Sequence, residues 1–284
     1  MSRRLLLFYP RRWRERYGDE LLAVVEAASG GGRVPLRIRL DLIRAGLSQR
    51  LRSSGLAGDE VPREARAKAG LGLVLWAWAL FVLAGIGLQK TSEHWQAVTP
   101  HSEQAVPAAA FDGVVAAAVL GSAFVVLGVA LAAGPLRAFL RSGGWRRARP
   151  AALLTVVTAA ALVPVVAWAH HLNAAQRNGG DRLYELAFVL LAACAVASLA
   201  AWTHLGATTA RRLRLEPRTL RLEARIAAGV TWTMAAMTCA TVIWWASVAS
   251  AAAPAPRMAV VALAMLCATG LASAGTVRAL READ

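Results

Sequence analysis

The run GLGLVLWAWALFVLAGIGL, residues 70–88, contains no charged side chain. A helix that crosses the hydrocarbon core of a bilayer, about 30 Å thick, needs about 20 mostly apolar residues. This run therefore predicts a transmembrane helix. Further runs of the same kind follow it, at residues 108–133, 150–172, 183–206, 226–250 and 258–277. The sequence thus predicts an all-α protein with a six-span transmembrane bundle in residues 70–284.

The overall composition agrees with a membrane domain. Of the 284 residues, 57% are hydrophobic and 17% are charged. Soluble domains usually have about 45–50% apolar and about 25% charged residues. Apolar runs of this length and with so few charges are rare in soluble proteins, so the lipid bilayer is the first predicted partner.

The positive charge predicts the orientation. The net charge is +15, and all but four of the 32 lysine and arginine residues lie in segments 1–69, 134–149, 207–225 and 277–284. These segments alternate with the opposite loops along the predicted topology. Because cytoplasmic loops are enriched in Lys and Arg, we expect a multi-pass protein of the bacterial plasma membrane with both termini in the cytoplasm. Charge spread over every inner segment argues against a nucleic-acid partner.

Few polar groups lie in or near the spans. Asp112 and Glu185 lie near the outer starts of the second and fourth spans, and His170 and His171 end the third. Ionisable groups at these depths are functional candidates, but scattered interfacial residues explain them equally well. No metal-binding spacing such as His-Glu-x-x-His occurs, so neither a metal nor another cofactor is predicted.

Close helix packing is expected on the second span. Gly113, Ala117 and Gly121 recur every four residues, the spacing that lets helices approach closely. This pattern supports packing within the bundle and leaves a homo-oligomer open. The inner exits of the three helix pairs share a small-residue–Arg–Leu pattern, which is typical either of an internal repeat or of any inward-ending helix.

Enzyme motifs are missing. The glycine-rich segment SGGGRVP, residues 29–35, lacks the Gly-Lys-Ser/Thr of a phosphate-binding loop. No GxSxG nucleophile motif or kinase motif set occurs. The sequence predicts a protein that is not an enzyme and has no catalytic residue.

Residues 1–69 predict a cytoplasmic helical hairpin followed by a tether. Pro10 suits the start of a helix, and Gly30–Gly32 end it. Pro35 then opens a second amphipathic helix, and residues 53–69 lead into the first span. So small a unit buries little surface alone, so its apolar faces are partner-docking candidates. They are Trp13, Tyr17, Leu21, Val24, Leu40, Ile43 and Leu47.

YPRRWRERYGDELLAVVE, residues 9–26, and DLIRAGLSQRLR, residues 41–52, resemble a permease-prefix module. That helical module precedes the membrane part of some bacterial ABC-type permeases and of stand-alone actinobacterial integral membrane proteins. The matching positions are Tyr9, Pro10, Arg14, Tyr17, Gly18, Asp19 and Glu20, then Asp41, Leu42 and the terminal Arg-Leu pair. The permeases also carry a large extracytoplasmic domain, for which the short outer loops here leave no room. The resemblance therefore implies an accessory or regulatory module and no specific activity.

Two functional hypotheses follow. The first is a non-enzymatic regulatory or signalling membrane protein whose N-terminal hairpin docks a cytoplasmic regulator. The alternative is a transporter or permease subunit that pairs with an ABC-type ATPase, with a path near Pro164, Asp112 and Glu185. A proline within a membrane helix can open a cavity, although it is also tolerated without a function.

Overall fold

The computed structural model describes residues 2–30, 32, 34–98, 105–171, 182–248 and 255–283. All regular secondary structure in these ranges is helical. Two groups of helices follow each other along the chain: a short N-terminal group before residue 63 and a group of long apolar helices after it.

The N-terminal group has three elements. A 3-10 helix, Ser2–Phe8, precedes α1, Arg11–Ala28, and α2, Leu36–Ser53. Pro10 and Pro35 stand immediately before the two α-helices, and their carbonyls accept the first helical hydrogen bonds. Proline suits this position because its φ is fixed and it has no N–H to leave unpaired. We call these three elements the platform; the side of the membrane on which it lies stays a prediction.

The remaining helices form the membrane part. They are α3, Arg63–Val98, α4, Ala105–Leu131, α5, Ala133–Phe139, α6, Trp145–His171, α7, Arg182–Ala210, α8, Pro217–Val248, and α9, Ala255–Ala283. A tight turn at Leu140–Gly144 joins α5 to α6, and Gly143 within it has a φ of +79°. That left-handed conformation favours glycine, which has no side chain to clash.

The prediction of an all-α, six-span protein is confirmed. In the described residues, α3, α4, α6, α7, α8 and α9 are each long and apolar enough to cross a membrane. The protein is therefore an integral membrane protein of the multi-pass kind. Pro164 lies inside α6, which continues to His171.

Four of the six long helices share one core. α3 packs against α9, α4 packs against α8, and α8 packs against α9. The largest fully buried side chains, among them Phe81, Met234, Trp244 and Met265, belong to α3, α8 and α9. α6 and α7 pack on each other, and α7 reaches the core mainly through α3. The bundle is thus a four-helix core with one helix pair attached to its side.

Small residues allow the closest contacts in the core. A β-carbon built on Gly70 of α3 would lie 2.5 Å from the carbonyl oxygen of Gly275 on α9, so the two backbones touch. On α4, Gly121 leaves room for the indole ring of Trp78, which a β-carbon there would meet at 2.7 Å. These contacts bring together the start of α3 with the end of α9. Gly128 near the end of α4 lies against Glu223 and Ile226 near the start of α8, so the arginine-rich segments that adjoin these helix ends gather at one end of the bundle. We call it the basic end.

Candidate functional site

The platform is organised by its 3-10 helix. A β-carbon on Gly46 of α2 would lie 2.9 Å from the β-carbon of Phe8, so only glycine fits this contact. The guanidinium of Arg50 donates from Nε to the carbonyl oxygen of Phe8 at 2.7 Å, and a second nitrogen donates to the carbonyl oxygen of Leu7. The 3-10 helix therefore holds α2 by backbone contact and by side-chain hydrogen bonds.

Part of the predicted docking face lies inside the platform. The ring of Trp13 is half-buried and stacks on Tyr9, with 4.3 Å between ring centroids. Leu21 lines a small internal cavity together with Leu5, Leu6 and Leu42. Ile43 is half-buried as well. Burial also raises the pKa of the Tyr9 hydroxyl. These side chains stabilise the platform itself.

The rest of the predicted face is exposed. Tyr17 and Val24 on α1 and Leu40 and Leu47 on α2 lie open to the surroundings. Two further leucines extend the stripe on α2, Leu36 and Leu51. At 100° per residue, these four leucines of α2 lie on one side of the helix.

The charges beside these apolar stripes differ between the two helices. α2 carries five arginines and a single acid, Asp41. α1 carries four arginines balanced by Glu15, Asp19, Glu20 and Glu26. The platform thus presents one basic and one charge-balanced amphipathic helix.

Residues 54–62 form a joint between platform and bundle. Arg278 near the end of α9 donates from Nε to the carbonyl oxygen of Gly55 at 2.6 Å and from a terminal nitrogen to that of Gly58 at 2.5 Å. Both glycines have positive φ values, +81° and +64°. This left-handed backbone turns the two carbonyls toward one guanidinium, and the segment predicted as a tether is fastened along its length.

Ion pairs lock the same joint to the core. Arg66, on the first turn of α3, pairs with Glu282 of α9 at 2.7 Å and also with Asp59 of the joint. The side chains of Arg66 and Glu282 are only 10% and 14% exposed, so this pair is shielded from water. Lys68 is buried beside it, where it pairs with Glu64 and donates to the carbonyl oxygen of Leu213 after α7. The joint therefore contacts α3 through Arg66 and α9 through Arg278, and Lys68 connects the start of α3 with the α7–α8 loop.

An apolar pocket of about 250 Å³ opens at the basic end. Its walls come from α3, α4, α7 and α8, with Leu136 of α5 and the loop after α7 closing one side. Trp78 and Phe124 supply the aromatic surface, and Glu223 is the one charged residue among the described lining residues. The pocket lies between α7 on one side and the packed helices α4 and α8 on the other.

Glu223 has no counter-ion in the part of the chain that the structure describes. Its Oε1 is buried without a hydrogen-bond partner there. Its Oε2 lies 3.0 Å from the position that a β-carbon would take on Gly128 of α4. The absence of a side chain at residue 128 thus makes the space that the carboxyl group occupies.

Two of the polar candidates predicted near the outer side, Asp112 and His171, are described, and neither lines this pocket. Asp112 is exposed on α4, and His171 is exposed at the end of α6. The side chains of His170 and Glu185 lie outside the described residues. Within the described ranges, no group of three or more His, Cys, Asp or Glu side chains is arranged to hold a metal ion.

Sequence reasoning missed Glu223, Arg66 and Arg278. A signal for Glu223 was present, because Ile226, Ala227 and Val230 follow it at the helical spacing and line the same pocket. An acidic residue on the apolar face of a helix is a candidate functional residue, whereas one on the solvated face is not. No such signal marks the pairing of Arg66 with Glu282 or of Arg278 with the carbonyls of the joint, because these partners are distant in sequence.

Comparisons with protein-family models, with curated proteins and with solved structures found no match.

Proposed function

We propose that this integral membrane protein is a regulatory component whose platform docks a cytoplasmic protein and couples it to the state of the membrane bundle. The observation that carries the proposal is the joint. Arg278 fastens the chain between platform and bundle at two carbonyls, and Arg66 adds a shielded ion pair to α9. A platform that served only as a loosely held anchor would need no such fastening.

The exposed stripes support a protein as the occupant of the platform. Interfacial helices that bind anionic lipid carry basic residues over their polar face. α2 matches that pattern, but the four acids of α1 balance its four arginines, so α1 has no net attraction to an anionic surface. A protein with an apolar groove complements both stripes, and acidic residues on the side that meets α2 would pair with its arginines.

Site-specific photo-crosslinking in cells tests this role. A benzophenone amino acid is placed at Leu40 or Leu47 on the exposed stripe, and at Ala45 as the matched control. Ala45 is also exposed, but it lies on a different side of α2 from the stripe. We expect one protein to be captured from positions 40 and 47 and not from position 45. Capture of lipid alone, or equal capture from all three positions, contradicts the docking role.

A second variant separates docking from coupling. Arg278→Gln removes the two hydrogen bonds to the joint and leaves the stripe on α2 intact. We expect crosslinking from Leu40 to persist, while limited proteolysis within residues 54–62 becomes faster. Unchanged proteolysis would show that Arg278 does not fasten the joint.

A permease subunit is the second candidate, favoured by the pocket between α3, α4, α7 and α8. The identity of the captured protein separates the two functions. A nucleotide-binding ATPase would support the permease, and a protein without an ATPase domain would support regulation.

A further inference from the structure

The pocket at the basic end is open between two helix groups. α3, α4 and α8 belong to the core, whereas α7 belongs to the attached pair. Its volume of about 250 Å³ lies just below the usual range of small-molecule sites, about 300–1,000 Å³. It therefore accommodates one alkyl chain or one ring system rather than a whole two-chain lipid.

Glu223 makes this pocket unlike an ordinary gap between membrane helices. Such gaps are lined by apolar and small residues and are filled by lipid chains. Here a carboxyl group reaches the apolar wall with one oxygen buried and unpaired within the described part of the chain. Burying a polar group without a hydrogen bond is costly, and an unpaired charge costs more.

We propose that the pocket binds an amphiphile with a positively charged amine, whose ammonium group pairs with Glu223. The apolar part of this molecule lies against Trp78, Phe124 and the aliphatic side chains of the wall. The ammonium group donates hydrogen bonds to the Glu223 carboxylate, which gives the buried oxygen the partner that the described part of the chain does not provide.

The charge of the wall selects this class of ligand over others. Glu223 is the one charged group among the described lining residues, so an anionic headgroup in contact with the wall would be repelled by it. A neutral amphiphile would satisfy the apolar wall but form a weaker hydrogen bond to the carboxylate. An amine satisfies both parts of the site.

The position of Glu223 along α8 is also consistent with an amine-bearing amphiphile. Glu223 lies in the second turn of α8, which begins at Pro217, beside the arginine-rich loop after α7. The carboxyl group is therefore at the end of the bundle, where the charged head of an amphiphile would meet water and its tail would point along the helices. Two sources of this chemistry are aminophospholipids, with one chain in the pocket, and small lipophilic amines.

Binding of 2-(1-naphthyl)ethylamine and its neutral analogue 2-(1-naphthyl)ethanol tests the site. Equilibrium dialysis of the full-length protein in detergent, against empty micelles, gives both affinities. We expect the amine to bind about tenfold or more tightly than the alcohol, the usual effect of a charge-assisted hydrogen bond. Equal affinity for the two compounds overturns the proposal.

Two variants locate the effect. Glu223→Gln should reduce amine binding to about the level of the alcohol and reduce alcohol binding much less, because the alcohol loses only a weaker hydrogen bond. Glu216→Gln, at an exposed acid just before α8, should bind both compounds as the wild type does. Amine binding that survives Glu223→Gln overturns the proposal. Should that variant fail to fold, Val129→Trp fills the pocket from its lipid-exposed side and should abolish binding of both compounds.

Native mass spectrometry distinguishes the two sources. The wild type and Glu223→Gln are purified from membranes that contain phosphatidylethanolamine. A retained aminophospholipid in the wild type, lost in the variant, identifies the headgroup as the ligand. Amine binding in dialysis without a retained lipid supports a small amine instead. Absence of both, in protein with wild-type thermal stability, overturns the proposal.

Discussion

The core helix α3 and the attached helix α6 are both apolar enough to span a membrane, yet they are used differently. Half of the α3 span is buried inside the protein, against 12% of the α6 span. α6 is the more hydrophobic of the two. In a bilayer the lipid is as apolar as a leucine side chain, so hydrophobicity does not decide which helix becomes buried. Helices become buried where their backbones approach closely, where hydroxyl groups pair between helices and where ion pairs form. α3 and the helices packed on it make all three kinds of contact.

The largest loss of stability is expected from a change at Arg66, whose ion pair with Glu282 is shielded from water. Among the described residues, α6 makes no ion pair of this kind. Arg66→Met leaves Glu282 buried without its partner, and breaking one side of a buried ion pair costs about 3–5 kcal/mol. We expect this loss in the free energy of unfolding, measured by steric trapping in micelles.

The control is Arg63→Met, at an exposed position on the first turn of the same helix, with little expected effect. The double variant Arg66→Met with Glu282→Met should recover most of the stability, because it leaves no buried charge unpaired and Asp59, the other partner of Arg66, is exposed. A double variant no more stable than the single one would show that the ion pair is not the cause.

A smaller loss is expected where the backbones of α3 and α9 touch. Gly70→Ala places a β-carbon 2.5 Å from the carbonyl oxygen of Gly275. Overpacking of this kind costs about 1–3 kcal/mol, measured by the same method. Gly270→Ala on α9 is the matched control, since nothing lies within 4 Å of its β-carbon position. Equal effects of the two changes would mean that the close contact is not formed in the folded protein.

Hydroxyl groups provide a finer test of the same contrast. In the core, Thr276 of α9 shares a hydrogen bond with Thr231 of α8 at 2.7 Å. In the attached pair, Thr158 of α6 bonds only to carbonyls of its own helix, at Leu154 and Thr155. Thr276→Val should cost about 0.6 kcal/mol, the average for hydrogen bonds between membrane helices.

Thr158→Val should have a smaller effect than Thr276→Val. Thermal denaturation of both variants in the same detergent makes the comparison. If Thr158→Val lowered the thermal stability more than Thr276→Val, Thr158 would have to bond to another helix, for example one of a second copy of the protein.

The smallest effect is expected on the exposed face of α6. Leu154→Ala changes a side chain that is 52% exposed, and substitutions at such positions usually stay within about 0.5 kcal/mol. The midpoint of thermal unfolding should therefore match that of the wild type. A clear loss that grows with protein concentration would indicate that a second copy covers this face.

The sequence was sufficient for the span count and the helical class, because length and absence of charge follow directly from residues such as those of 70–88. The spacing of Gly113, Ala117 and Gly121 also indicated close packing on α4, and Gly121 receives the ring of Trp78. The sequence did not indicate which helices form the core, since hydropathy carries no such information. The start of α3 at Arg63 was missed because its first two turns are charged.

The candidate site was less predictable than the fold. An apolar stripe was expected to face a partner, but Trp13 and Leu21 are used inside the platform. The 3-10 helix that covers them has no periodic signal of its own. Arg278 was attributed to topology alone, although its guanidinium closes a contact with residues more than 200 positions earlier. Hydrogen bonds between residues so far apart in the chain depend on tertiary packing, which cannot be read from a single sequence.

The hydrogen bond between Arg50 and the carbonyl of Phe8 has a consequence for biosynthesis. A ribosome adds about 5–20 residues per second, so Arg50 is made about 2–8 seconds after Phe8. During that interval the apolar residues of the 3-10 helix and α1 lack their partner on α2. The platform closes only as the first membrane span follows it out of the ribosome. Its assembly and the insertion of α3 thus fall in the same stage of synthesis, and a delay in either exposes apolar surface to chaperones.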